Sequence, residues 1–329
     1  FELRLGSGSD VVTLANVASQ LVSVNSGGGA DVINVQSVLS ATTVAGGDGN
    51  DTINVSSNAP VNSGTLNGLA GALTVNGDAG TDSLLLSDVG ETADGSGTLT
   101  GSTLSGFGTA GVTYGTFESL SLTLGSGADA LTVGATHAGT TTVTTSGGAD
   151  VVDVVSTAGA LTLATGAGAD DVTIEATSAS LALTTGDAAD TVLIVSTGGT
   201  SSVDLGNGND AISIRSLGAS STVSGGLGDD TVSVSSDAPT NAGTLNGLSG
   251  MLIVNGGGGN DSLLLSDAGE TADGSGMLTG STLTGFGTAG ITYGTFESLA
   301  LTLGSGADAL TISSTHAGTT NVVTGAGAD

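Results

Sequence analysis

The sequence predicts an all-β fold, a right-handed parallel β-solenoid of the β-roll or β-helix kind, with coils of about 20 residues. Three observations predict it. A glycine-rich phrase ending in Asp recurs, mostly every 20 or 21 residues. Aliphatic residues alternate with polar ones on both sides of each phrase, the period-two mark of a strand with one buried face. The chain of 329 residues has 59 Gly, 2% aromatics and no Trp or Cys, so its core is built from Val, Leu, Ile and Ala between closely facing sheets.

Each element of the coil follows in order. The terminal residues of the phrase are Asp10, Asp31, Asp51, Asp82, Asp129, Asp150, Asp170, Asp190, Asp210, Asp230, Asp261, Asp308 and Asp329. After each comes a short strand, as with Val152 and Val154, Val172 and Ile174, or Ile212 and Ile214. A small-residue turn follows, such as Ser156 to Ala160, and then a second strand, such as Leu161 and Leu163, leading into the next glycine phrase. Two such strands cannot bury an apolar face alone, so coils must stack and share a core. Parallel crossovers of this kind are right-handed by the general rule.

A longer period overlies the short one. Residues 52–150 align without gaps to 231–329 at an offset of 179, for example TYGTFESLSLTLGSGADALT with TYGTFESLALTLGSGADALT. The chain therefore divides into simple coils over 1–58, an insertion-bearing cassette over 59–129, simple coils over 130–237, a second cassette over 238–308 and the start of further coils over 309–329, all in one continuous solenoid. Each cassette contains an interval of 31 and one of 47 residues between aspartates. Counting the longer interval as two coils gives about 14 coils and, at about 4.8 Å each, a rod of about 70 Å. The first insertion, Ser57 to Gly71, holds Pro60 where a loop would leave the ladder. The second, Ser87 to Ser119, carries Phe107, Tyr114 and Phe117, which are expected to pack it onto the solenoid, the alternative being a binding spot or lateral contact. The missing initiator Met and the final GAGAD, which stops inside a repeated phrase, predict a window cut from a longer protein.

Charge excludes several partners. With 31 acidic against 2 basic side chains and a formal charge of −29, binding of nucleic acid or of an anionic membrane is not expected. No run of 18 apolar residues is present to span a bilayer. Enzymatic activity is not expected either, because carbohydrate-active solenoids need cationic and aromatic residues in a groove. Stacking in register would place the thirteen aspartates in one column along one edge, leaving the opposite edge without acids. Neighbours about 4.8 Å apart repel by about 3.5 kcal/mol at an effective dielectric of about 20. Compensation must come from protonation or bound cations; the alternative is a metal-free stack of Asp, Asn and Gly. Oxygen-only ligands on flexible turns favour Ca²⁺ over Mg²⁺, whereas His137 and His316, one position seen twice, read as turn residues. The loop Ser87 to Gly95 offers Asp88, Glu91 and Asp94 as a further site or as a solvated acidic loop.

GGDGNDTIN (Gly46 to Asn54) and GGLGDDTVS (Gly225 to Ser233) resemble the nonapeptide G-G-x-G-x-D-x-U-x of RTX proteins, the hemolysin-type calcium-binding repeat family, with GNGNDAIS and GGGGNDSLL close to it. The resemblance implies Ca²⁺ between successive turns, held by turn carbonyls and by Asp51, Asp210, Asp230 and Asp261, and more loosely at the other phrase aspartates. Unlike the family, this chain has no acid in the opposite turns of its simple coils, such as STAGA. The resemblance also implies secretion and folding outside the cell. Together with tandem modularity, it leads us to expect an extracellular calcium-stabilised rod: a stalk, adhesin or filament subunit of a bacterial cell surface or matrix. Self-association end to end or laterally, and a cell-surface or glycan ligand, are the partners such a rod would have. The alternative is an RTX-type secretion or folding module attached to a separate catalytic or toxin domain.

Overall fold

The computed structural model describes residues 1–18 and 22–329. They form strands and turns, with no helix among the described residues. Two compact units, Phe1–Thr165 and Gly166–Asp329, divide the chain, and each is a β-solenoid containing one cassette.

Side-chain alternation builds the coil. In strand Thr191–Ile194 the inward Val192 and Ile194 are buried, and in Ser201–Asn207 the inward Val203 and Leu205 are buried. Parallel pairing repeats the register from coil to coil, so that Val192, Ile212, Val232, Leu263 and Leu299 form one interior column. Each such side chain contributes about 1.5–3 kcal/mol by leaving water. Ile212→Ala is therefore expected to lower stability by about 2–5 kcal/mol. Ile253→Ala, on the outer face at 37% exposure, should stay within about 0.5 kcal/mol. Urea unfolding of the two variants checks the contrast.

The glycine phrase closes the coil because its backbone turns where other residues cannot. Gly206 has φ +94°, and a Cβ there would sit 2.0 Å from the Gly186 carbonyl oxygen of the neighbouring coil. Both the left-handed conformation and the stacking distance require glycine.

Unit 1 begins with regular coils. One sheet receives Glu2–Arg4, Val22–Asn25, Thr42–Asp48 and Leu73–Ala79, and the other Val11–Leu14, Val32–Val35, Thr52–Val55 and Ser83–Ser87. The first insertion closes over this stack with Ala59, Leu66 and Leu69 buried, and Gln36 Nε2 donates to the Ala59 carbonyl at 2.8 Å. In unit 2, Arg215 Nε makes the equivalent bond to Ala238 O at 2.8 Å.

The second insertion departs from the expected coil count. After Ser83–Ser87 the chain crosses to the first sheet and makes three passes there, Ser96–Leu99, Thr103–Gly106 and Thr109–Gly115, joined as an antiparallel meander. The last pass is parallel to Leu73–Ala79, and the first is parallel to Ala130–Val133. Strand Ser119–Thr123 then returns to the second sheet between Ser83–Ser87 and Thr140–Thr144. The interval from Asp82 to Asp129 is thus one and a half coils, not two, because the meander keeps three passes inside one sheet. The same arrangement recurs in unit 2 with Ser275–Leu278, Thr282–Gly285 and Thr288–Gly294 between Ala309–Ile312 and Leu252–Gly258.

The aromatics pack this meander. Tyr114 takes the core position held by Val24, Val44 and Val75 in the preceding coils, and its hydroxyl donates to the Thr100 carbonyl. Phe107, Tyr114 and Phe117 are all buried. Burial without charge compensation holds the Tyr114 phenol above its usual range.

Candidate functional site: an aspartate ladder that changes edge

The half coil has a direct consequence for the aspartates. In a solenoid, turns from the first sheet to the second share one edge and the return turns share the other. Before the cassette of unit 1 the Asp phrase joins the first sheet to the second, as between Leu73–Ala79 and Ser83–Ser87. After the cassette it joins the second to the first, between Ser119–Thr123 and Ala130–Val133. The expected single column along one edge, with the other edge free of acids, is therefore corrected. Within unit 1, Asp10, Asp31, Asp51 and Asp82 stack on one edge, and Asp129 and Asp150 on the other. Within unit 2, Asp170, Asp190, Asp210, Asp230 and Asp261 stack on one edge, and Asp308 and Asp329 on the other.

Each stack is a hydrogen-bonded ladder. The backbone N–H of Asp10 donates to Asp31 Oδ1 at 2.7 Å, that of Asp31 to Asp51 at 2.8 Å, and that of Asp51 to Asp82 at 2.8 Å. The Asp82 N–H then donates to Glu118 Oε2 at 2.6 Å, so a glutamate from the TFES turn ends the run. On the other edge the Gly95 N–H donates to Asp129 Oδ1 at 2.8 Å and the Asp129 N–H to Asp150 Oδ1 at 2.7 Å. Unit 2 repeats the pattern, with Asp170 to Asp190 and Asp190 to Asp210 both at 2.8 Å. Asp210 to Asp230 and Asp230 to Asp261 follow at 2.9 Å, ending on Glu297 at 2.8 Å. Across the cassette, Asp308 Oδ1 accepts from Gly274 at 2.8 Å, and the Asp308 N–H donates to Asp329 Oδ1 at 3.1 Å.

At six ladder positions one carboxylate oxygen is engaged and the other is not. The Oδ2 atoms of Asp31, Asp51, Asp82, Asp210, Asp230 and Asp261 are buried without a hydrogen-bond donor. Glycine makes this burial possible: a Cβ on Gly256 would lie 2.5 Å from both Asp261 Oδ2 and the Thr295 carbonyl oxygen. At the equivalent place in other coils a hydroxyl bonds the next coil's carbonyl, as Ser26 does to Gly46 O at 2.5 Å and Thr185 to Leu205 O at 2.7 Å.

Electrostatics follow from this burial. Desolvation is the largest cause raising the carboxyls of Asp51, Asp82, Asp129, Asp190, Asp230 and Asp261 above the ordinary 3.8, partly offset by the backbone N–H donors. Asp210 is pushed up to about 6 by burial, with Asp190 and Asp230 adding to the shift. No cationic side chain relieves the stacks among the described residues: Arg4 pairs with Glu2, and Arg215 is bonded to Ala238 O.

The acids of the Ser87 to Gly95 loop come together with Asp129 around a cavity in the first cassette. Asp88 Oδ1 accepts from the Leu66 N–H at 2.7 Å, and Asp94 Oδ1 from the Ala128 N–H at 2.9 Å. Glu91 Oε2 accepts from Asn67 Nδ2 at 2.6 Å, and its Oε1 from the Thr92 and Ala93 N–H groups. Those bonds hold the Glu91 carboxyl below its usual range. Burial, with Glu91 and Asp129 nearby, raises Asp88 to about 6.

Sequence reasoning missed Glu118 and Glu297 as ladder ends, and missed the switch of edge. The signal for the glutamates was their fixed place in TFES at an offset of 179. His137, read as a turn residue, places Nδ1 3.0 Å from Thr141 Oγ1. The chain matches no protein-family model and no curated protein sequence.

Proposed function

We propose that the chain is a structural segment of an extracellular bacterial protein, a solenoid that Ca²⁺ stiffens, serving as stalk, adhesin or filament subunit rather than as an enzyme. The observation that carries this reading is the run of buried ladder carboxylates with one undonated oxygen apiece and no cationic side chain beside them. A device repeated in coil after coil serves the length of a structure, not one catalytic centre.

The donor set fits a hard cation. Ladder carboxylate oxygens and the carbonyls of the glycine turns are oxygen ligands of the kind Ca²⁺ prefers. Among the described residues no three acidic or histidine side chains converge to hold a metal. A calcium ion at a turn would therefore take one ladder carboxylate and complete its shell from backbone carbonyls and water. Its contribution is charge neutralisation, and its binding energy becomes folding energy. The likeness of Gly46 to Asn54 and Gly225 to Ser233 to the RTX nonapeptide supports the same ion and a secreted location.

Adjustable coil number is the property this function needs. Duplicating residues 191–210 five times in tandem is expected to leave the fold intact and lengthen the particle by about 24 Å, read by small-angle scattering in millimolar calcium. An unchanged maximum dimension would contradict a rod. Self-association predicts fibres by electron microscopy in the same buffer, and dispersed particles would argue against it.

A further inference from the structure

We infer that each cassette holds a binding pocket for an organic cation with several N–H donors, an alkylammonium or guanidinium group. The pocket of the first cassette is a cavity of about 370 Å³ whose lining includes Asn67, Asp88, Glu91, Asp94, Phe107 and Asp129. Its counterpart in the second cassette, of about 130 Å³, is lined by Asn246, Asp267, Glu270, Asp273 and Phe286 among others.

Two features beyond the gathering of acids point to a ligand. First, Asp88 is 3% exposed and Asp129 4% exposed, yet each lines the cavity. Their Oδ1 atoms are tied to the Leu66 and Gly95 N–H groups, at 2.7 and 2.8 Å. Their Oδ2 atoms have no donor and are not among the fully enclosed oxygens that lack one, and both residues line the cavity. A nine-tenths buried carboxylate without a partner for its second oxygen is costly unless a positive donor meets it. Second, the Phe107 ring forms part of the same wall, and an aromatic ring beside carboxylates suits a cation carried on carbon.

The arrangement disfavours a bare metal ion. Among the described residues no three acidic side chains are grouped so as to hold a metal ion, whereas an ammonium or guanidinium group spreads three to five N–H donors over a wider span. Backbone and amide donors fix Asp88, Glu91, Asp94 and Asp129, so the pocket is pre-organised. Asp267, Glu270, Asp273 and Asp308 keep the same bonds, to Leu245, Asn246, Ala307 and Gly274.

The inference does not rest on calcium at the ladder; its test is run in millimolar calcium, where the other turns are loaded and calcium competes with the amine directly at Asp129. The full chain is titrated calorimetrically at about 0.15 M salt with 1,4-diaminobutane, a free alkylammonium, and with a blocked Gly-Lys-Gly peptide, a protein side chain. Saturable binding of either at one site per cassette is expected, and the tighter probe identifies the source. The double variant Asp88→Asn with Asp267→Asn should weaken binding at least about tenfold. Because those residues are buried, the exposed pair Asp94→Asn with Asp273→Asn is tested beside it and should weaken binding at least about threefold. Asp204→Asn, on an outer face, should change nothing. Non-saturating uptake, equal affinity in all variants, or amine excluded because calcium itself fills the pocket would overturn the inference.

Discussion

Asp210→Asn is expected to stabilise the protein in a chelator at pH 7.5 and to destabilise it in calcium. The two effects come from the same pair of oxygens. Asn retains the Oδ1 that accepts the Asp190 N–H at 2.8 Å and replaces the buried, undonated Oδ2 with an amide that can donate. Without metal, the substitution removes a buried charge whose carboxyl is pushed up to about 6, and the gain is about 1–3 kcal/mol. With calcium bound, it removes an anionic ligand and the gain reverses. Thermal unfolding of the variant and the parent in both buffers checks the change of sign.

Acidification gives the second large effect. The carboxyls of Asp51, Asp82, Asp129, Asp190, Asp210, Asp230 and Asp261 lie above their ordinary value in the folded chain, as do those of Asp88 and Asp267, both at about 6. A group whose folded value is raised binds its proton more tightly when folded. Its stabilisation is complete below the unfolded value, near 4, and is lost as pH rises through the folded value, which is about 6 for Asp88, Asp210 and Asp267. Each strongly shifted group is worth of the order of 2 kcal/mol, and several act in one molecule. Glu91, Glu270 and Asp237, near the surface, are shifted downward and oppose the trend on the acid side. Solvent screening makes that opposition weak. The chelated protein is thus expected to melt at a higher temperature at pH 4.5 than at pH 7.5, the reverse of ordinary acid denaturation. A melting temperature that falls on acidification would show that the ladder carboxyls remain ionised without strain.

On the proposed reading, protons and calcium are two ways of relieving one stack. Buried carboxylates at the turns cost stability when ionised, and either a proton or a divalent cation removes that cost. A secreted protein at neutral pH has the cation available, which links the ladder to the proposed extracellular role.

Most of the fold was legible in the sequence because each coil states its own pattern. Val192 and Ile194, then Val203 and Leu205, alternate without exception, and the phrase GNGND marks the turn between coils. The cassette was not legible to the same degree. Its length of 47 residues suited two coils, and no local propensity distinguishes three passes in one sheet from passes shared between two. Only the antiparallel register of Thr103–Gly106 with its neighbours settles the half coil. All thirteen aspartates fall on ladders, as their spacing suggested, but their division between edges depends on that half coil. Glu118 was hidden because its contact with Asp82 spans 36 residues, a separation set by the insertion rather than by the repeat. The gathering of Asp88, Glu91 and Asp94 with Asp129 had the same origin, since Asp129 lies 34 residues from Gly95.

The most direct test of the account is circular dichroism of the unmodified chain during heating at pH 7.5, in EGTA and in millimolar calcium. The account predicts a loss of β-structure at a markedly lower temperature in EGTA, with full recovery on adding calcium and partial recovery on lowering the pH to 4.5. Coincident melting curves in EGTA and calcium would contradict it.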